Sequence, residues 1–246
     1  MDRMIYIGMS GAKEVMISQG MNSNNLANVS TSGFREDLAQ QRSMSVFGPG
    51  HPTRAFAMTE KPGINFEPGP IESTGRDLDM AIKQDGWFAV QAKDGSEAYT
   101  RAGDFRTTAQ GQLVTGSGLP VMGNGGPISL PPYESLSIGV DGTITIRPVG
   151  QAAAQLAQID RIRLVNPNLA DLEKGRDGLF RQKNNQPAEF DAGVRLMPGM
   201  LERSNVSVVE AMAKMISLTR AFDLQVKVMS TAEEVDRSTD ALMKMS

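Results

Sequence analysis

The chain has no cysteine and a single histidine, His51, in 246 residues. Disulfide frameworks, thiolate metal sites, cysteine nucleophiles and multi-histidine centres are therefore excluded. The formal net charge is only −3, and a mildly acidic balance argues against nucleic acid as a partner, which calls for a basic patch. No window approaches the roughly 18 apolar residues of a membrane span, so no membrane insertion is expected. The apolar stretch from Met4 to Met9 is too short for a signal-peptide core, runs into Lys13 and Glu14, and has no small-residue cleavage pattern. Ordinary rules read such a chain as cytoplasmic, and a non-cleaved export route would escape them. What is present, 40 % hydrophobic residues, is enough for a core.

The placement of residues is uneven. All 13 prolines lie between Pro49 and Pro198 and the last glycine is Gly199, so the final 47 residues hold neither helix breaker. Of the 16 methionines, five fall in residues 1–21 and seven in 197–246. Composition alone divides the chain into two methionine-rich ends and a breaker-rich middle.

Both ends read as helices. Ile5, Met9, Ala12 and Met16 recur at spacings of four, three and four, an amphipathic seam weakened by Gly8, Gly11 and Gly20. The run Asn22, Asn24, Asn25, Asn28 should end this helix, because asparagine tolerates the left-handed conformation and caps the backbone. Ser207 and Glu210 form a capping box ahead of a second helix reaching Lys244. Val208, Met212, Met215, Thr219, Phe222, Val226 and Met229 follow a heptad, after which the apolar positions move to Val228, Ala232, Val235 and Leu242. About 38 residues at 1.5 Å each give a rod of roughly 55–60 Å, longer than the roughly 46 Å of a compact globule this size. Its stripe then needs cover from the N-terminal helix or from a neighbouring chain.

From about residue 67 to 199 the pattern turns to period two, with Leu78, Met80 and Ile82 alternating against Asp79, Ala81 and Lys83, and turns at Asp85-Gly86, Asp94-Gly95, Gln110-Gly111 and Asp141-Gly142. A three-residue loop Val140-Asp141-Gly142 pairs Ile138 with Ile144 and Leu136 with Ile146, which buries one apolar face, whereas a two-residue loop splits these residues between faces. Residues 35–66 show no sustained period among Pro49, Pro52 and Pro62 and read as an extended connector. The expected organisation is an N-terminal helix and turn over 1–34, this connector, a central β domain over 67–199, and a C-terminal long helix over 200–246. The fold class is α+β.

No constellation carries chemistry. His51 sits in the connector between Gly50 and Pro52, where a histidine is solvated and inert. Asp77 and Asp79 share a strand side, but no third ligand accompanies them. Gly123, Gly125 and Gly126 are followed by Pro127 rather than by a lysine, a serine and a helix, so they form no phosphate loop. Methionine at heptad spacing is adaptable packing rather than a soft-metal site. No enzyme activity, cofactor or metal is expected.

The run Asn24-Asn25-Leu26-Ala27-Asn28-Val29-Ser30-Thr31-Ser32-Gly33-Phe34 resembles the N-terminal signature of the bacterial flagellar axial family of rod, hook and hook-associated proteins. Leu201-Glu202-Arg203-Ser204-Asn205-Val206, leading into Met215-Ile216 and Arg220-Ala221-Phe222, is similar to its C-terminal signature. Leu78 to Ile82 through Gly86-Trp87-Phe88, and Tyr99 to Phe105 through Gly111 to Val114, resemble the core of its β domain. The short length and the opening Met1-Asp2-Arg3-Met4-Ile5-Tyr6 are similar to the proximal-rod subtype. Residues 36–48 lack the Phe-Glu-Asp-Leu-Leu-Tyr type of run that marks the distal rod subtype, the nearest alternative together with hook-type members.

The resemblance implies a structural subunit of the basal-body rod that polymerises to form the drive shaft carrying torque towards the hook. It implies type III export without cleavage and a place in the periplasmic rod, with further copies, neighbouring rod proteins and the export apparatus as partners. The terminal helices would form a coiled-coil-like inner assembly domain. Met215, Phe222, Val226 and Met229 would carry inner packing, and the Asn24 to Asn28 block would cap the first helix. Phe222→Ala would cost about 3–5 kcal/mol if that ring is buried. The reading from another class is a cell-wall polysaccharide-binding or hydrolytic protein using Trp87-Phe88 as a platform beside Asp77 and Asp79.

Overall fold

A computed structural model describes residues 2–45, 55–60, 63–150, 156–184 and 186–243. His51, Phe47 and the prolines at 49, 52 and 62 lie outside the described residues, as does Lys244. The chain divides into two compact units, one of residues 1–29, 36–65 and 206–246, the other of residues 30–35 and 66–205.

The first unit is built on α1 (Asp2–Ala27) and α2 (Val208–Met243). The asparagine run ends α1 as the capping argument requires: the Asn28 N–H donates to the Asn24 and Asn25 carbonyls, and its side-chain amide donates again to the Asn24 carbonyl at 2.9 Å. At the start of α2 the Glu210 N–H donates to the Ser207 hydroxyl at 3.4 Å, the first half of the capping box. The helices pack antiparallel, with Gly8 beside Met229 and the Asn22 side chain donating to the Ala211 carbonyl at 2.8 Å.

Residues 35–66 do not form an extended connector. They hold β1 (Gln40–Ser45) and β2 (Ala55–Glu60), an antiparallel hairpin in the register Gln40 opposite Glu60 and Ser45 opposite Ala55. The described residues of β1 are exposed on both faces, so no alternation is written into its sequence. A two-stranded hairpin is marginal alone in water, and β2 gains support by lying against α1.

The second unit is β-rich. In chain order it contains β3 (Ile71–Ser73), β4 (Met80–Ile82), β5 (Trp87–Gln91), β6 (Glu97–Thr100), β7 (Arg106–Thr107), β8 (Leu113–Val114), β9 (Tyr133–Ile138), β10 (Thr143–Pro148), β11 (Ala157–Arg161), β12 (Leu164–Val165), β13 (Leu172–Lys174), β14 (Phe180–Gln182), β15 (Leu196–Pro198) and β16 (Met200–Glu202). Strands β12-β5-β6-β14-β13 form one antiparallel sheet and β11-β10-β9 another, with β15-β4, β16-β3 and β7-β8 as two-stranded pairs. Between β9 and β10, Ile144 faces Ile138 and Ile146 faces Leu136, the register of the three-residue loop. Gly142 takes the left-handed position at φ 87°. Leu136, Ile138, Ile144 and Ile146 join Met80, Phe88, Phe105, Ile162 and Leu164 in the main core. In β4 the alternation marks no exposed face: Met80, Ala81 and Ile82 are all buried, as is Asp79.

Candidate functional site

The helices carry the first group of candidate residues. Along α1 the buried positions are Gly8, Gly11, Ala12, Val15, Ser18, Asn22 and Asn25, and taking one per turn they alternate at three and four residues. The expected seam of Ile5, Met9, Ala12 and Met16 is therefore corrected by a rotation of one position. Ala12 is buried and Ile5 half-buried, while Met9 and Met16 are 54 % and 60 % exposed. Close approach is the physical reason. A Cβ on Gly8 would lie 2.8 Å from Met229 Cγ, and one on Gly11 would lie 2.9 Å from Gln225 Cδ. Two of the three glycines that weaken α1, Gly8 and Gly11, are what admits α2, whereas Gly20 has open space around it.

On α2 the less exposed positions run through Ala211, Met215, Leu218, Phe222, Gln225, Met229, Ala232 and Asp236. This is one continuous heptad, so the expected drift of the contact stripe is also corrected. The apolar residues drift, but Gln225 and Asp236 keep the register. Met215, Phe222 and Met229 lie on this stripe and are half-buried, whereas Val208, Met212, Val226 and Val235 are exposed. Because Phe222 is only half-buried, Phe222→Ala loses less than the 3–5 kcal/mol of a fully buried ring in the isolated chain.

The signature residues converge within their units. The Asn25 amide donates to the Asp37 carbonyl at 2.9 Å, and the Asp37 N–H donates back to Asn25 Oδ1 at 3.0 Å, so one buried side chain imitates a backbone pairing. Asn24 accepts through its carbonyl, Leu26 is half-buried and Ala27 is exposed. In the β unit Gly33 is buried at φ 66°, and its N–H donates to the Glu202 carbonyl at 2.8 Å. Lys174 Nζ sits 4.0 Å from the centre of the Phe34 ring. Leu201, Ser204 and Val206 are buried, and the Asn205 side chain donates to the Glu67 carbonyl at 3.0 Å.

Glu202 is the electrostatic centre. It binds Arg35 at 2.6 Å and Arg101 at 3.5 Å, with the three side chains 2 %, 1 % and 6 % exposed. Burial pushes both guanidiniums below the ordinary arginine value, and the attraction of Glu202 opposes this. Arg35 also donates to the Glu67 carbonyl, and Arg101 donates to the Gln84 carbonyl at 2.9 Å with its guanidinium 5.5 Å from the centre of the Trp87 ring. Sequence reasoning does not single out Arg35, or Arg101 as its partner. The available hint is a charged residue beside an apolar strand, which calls for a buried counterion.

The residues named for the alternative chemistry are differently placed. Trp87 is 2 % exposed and packs on Phe180 with ring centres 4.5 Å apart, so it offers no stacking platform. Asp77 is exposed, while buried Asp79 accepts from the Thr74 hydroxyl at 2.7 Å. Among the described residues, no three acidic or histidine side chains form a metal-holding group, and no helix is long and apolar enough to cross a membrane.

Asp104 carries a titration with a predictable sign. Burial pushes its carboxyl up, the charge of Asp79 adds to this, and the Gly116 N–H opposes it. A carboxyl raised in the fold is protonated there before it is protonated in the unfolded chain, so its penalty is complete above the folded pKa and fades as pH falls towards the ordinary aspartate value. Asp104→Asn, which can still accept from Gly116, should raise the urea midpoint near pH 7, with a gain that shrinks towards about pH 4. An equal gain at both pH values would show that burial of the charge is not its source.

Residues 197–242 match the family described as flagellar basal body rod FlgEFG protein C-terminal, and residues 81–146 match the flagellar hook protein FlgE/F/G D1 domain. The flagellar basal-body rod protein FlgF of Escherichia coli K12 is 40 % identical over the whole of both chains. FlgF of Caulobacter vibrioides is 35 % identical over 97 % of this chain and 96 % of its own, and FlgG of Bacillus subtilis is 33 % identical over 95 % and 96 %. The chain therefore belongs to the flagellar basal-body rod and hook protein family, a class of structural proteins. Within it the chain is most like the rod protein FlgF. Its function is that of a structural subunit of the flagellar basal-body rod, in association with other basal-body proteins.

Proposed function

We propose that the subunit belongs to the proximal rod and polymerises through α1 and α2 in a coiled-coil-like inner layer, carrying torque towards the hook. It would reach the periplasmic rod through the flagellar type III export apparatus without cleavage. The observation that supports this is the apolar surface left on both helices once they have packed on each other. Met9 and Met16 on α1, and Val208, Met212, Ile216, Val226 and Val235 on α2, are each at least 40 % exposed. Covering what remains exposed of each such side chain with a neighbouring copy would stabilise the assembly by about 1 kcal/mol, roughly half the value for full burial. Ile5, Ala12, Met215, Phe222 and Met229 would hold the helix pair in register behind that surface.

Met212→Glu with Ile216→Glu tests the reading. Both positions are exposed in the single chain, so the unfolding midpoint should stay within about 0.5 kcal/mol of the parent. Incorporation into the rod, followed by motility of cells carrying the variant, should be lost. A variant that is stable, exported and fully motile would show that α2 does not meet other subunits through this face.

A further inference from the structure

The chain leaves the β unit beside Ser30, Arg35, Phe66 and Asn205. Two of these stretches are stitched directly to each other. The Gly33 N–H donates to the Glu202 carbonyl at 2.8 Å, and the Asn205 N–H donates to the Phe34 carbonyl at 3.3 Å. The Glu202 carboxylate adds a second layer, since it holds Arg35 and Arg101 while accepting from the Gly69 N–H at 3.2 Å. Lys174 closes the rim by donating to the Arg35 carbonyl at 2.7 Å.

The charges in this cluster do not balance in pairs. Two buried guanidiniums share one buried carboxylate, with the exposed Asp85 adding a weaker attraction to both, and Arg101 repels Arg35. Seating residues 30–35 without Glu202 would bury Arg35 next to a like charge. Seating residues 200–205 without Arg35 would strip the Glu202 carboxylate of its shorter ion pair. Residues 30–35 seated alone bury two guanidiniums without their carboxylate, and residues 200–205 seated alone leave Glu202 only its longer contact with Arg101, so each half-seated form loses the Arg35–Glu202 pair that the complete triad makes.

We propose that the Arg35–Glu202–Arg101 triad is a latch that makes seating of residues 30–35 and of residues 200–205 on the β unit one cooperative event. The chain that leaves α1 and the chain that enters α2 are then fixed together or released together. Forms with one end docked and the other loose are depleted, although the two ends lie far apart in the sequence. The latch operates in the isolated chain, whatever its position in the rod.

Amide hydrogen exchange on the full chain tests this. The Gly33 and Asn205 amides should open together in the parent protein, with protection factors within about twofold of each other. Glu202→Gln, which removes the charge and keeps the shape, should lower both by about tenfold or more. The amides of Ala89 and Val121, which donate to Arg163 and Leu113 inside the β unit, should keep their protection. Arg35→Met, which alters the opposite segment, should release Asn205 as much as it releases Gly33. If Arg35→Met releases Gly33 and leaves Asn205 protected, seating is independent and the latch is refuted. An equal loss at all four amides also overturns it, because the triad would then hold the whole β fold. Should these variants fail to fold, Arg35→Lys, which keeps the charge with a different reach, is read at the same amides against the same two overturning results.

Discussion

Gly33→Ala should destabilise the β unit by at least about 3 kcal/mol. Two costs add. The backbone at φ 66° lies in the left-handed region, which costs an L-residue roughly 1–2 kcal/mol. A Cβ built there would also overlap the peptide between Arg101 and Ala102, and these are backbone atoms that cannot rotate aside. Relief requires residues 30–35 to lift from their seat, breaking the bond from Gly33 to the Glu202 carbonyl. Gly118→Ala separates the two costs, because Gly118 has φ 82° and open space around it. It should lose only the conformational part, about 1–2 kcal/mol. Chemical unfolding of both variants measures the difference, and equal losses would show that the Arg101–Ala102 peptide does not close off position 33.

Phe88→Ala should cost about 3–5 kcal/mol, the range for removing a fully buried ring. Phe88 is 0 % exposed, meets Phe105 edge to face with ring centres 5.0 Å apart, and belongs to the main core with Met80 and Leu164. The backbone around it is poorly placed to collapse into the space. Gly103 lies so close to the Met80 carbonyl that even a methyl group does not fit between them, and that methyl would also touch the Phe88 ring. At about 2–4 °C per kcal/mol for a chain of this length, scanning calorimetry should record a fall of roughly 6–20 °C. A fall under about 3 °C would mean that the cavity refills or that the ring is not packed this way. Phe222→Ala should change the same scan less, since its ring is half-buried.

The contrast between these two phenylalanines bears on how much could be read without the fold. Local chemistry was legible wherever a short-range rule sets the outcome. The hairpin register from Leu136 to Ile146 follows from parity and from one left-handed glycine. The ends of the helices follow from asparagine and serine capping groups within four residues of the orphan backbone groups. The signatures at Asn24 to Phe34 and Leu201 to Val206 point to the rod and hook family on their own. The packing face of the helices was not legible, because apolarity marks what prefers to leave water and not what the nearest partner touches. On α1 those two properties point to faces one residue apart, and Gly8 and Gly11 occupy the face in contact. The pairing of residues 40–45 with 55–60 escaped for a similar reason, since the described side chains of its first strand are exposed on both faces and so carry no alternation.

The sequence by itself determined the succession of terminal helix, β-rich middle and second helix, the cap after α1 and the cap before α2, and the family, all of which depend on neighbours a few residues apart. Only the tertiary structure decided which face of α1 meets α2, that residues 40–45 pair with 55–60, and that Glu202 holds Arg35 and Arg101. Those outcomes join positions as far apart as Asn22 and Ala211, separated by 189 residues. A helical period constrains which residues share a face, but the energy of burying a charge or bringing two backbones together depends on the partner supplied by the fold.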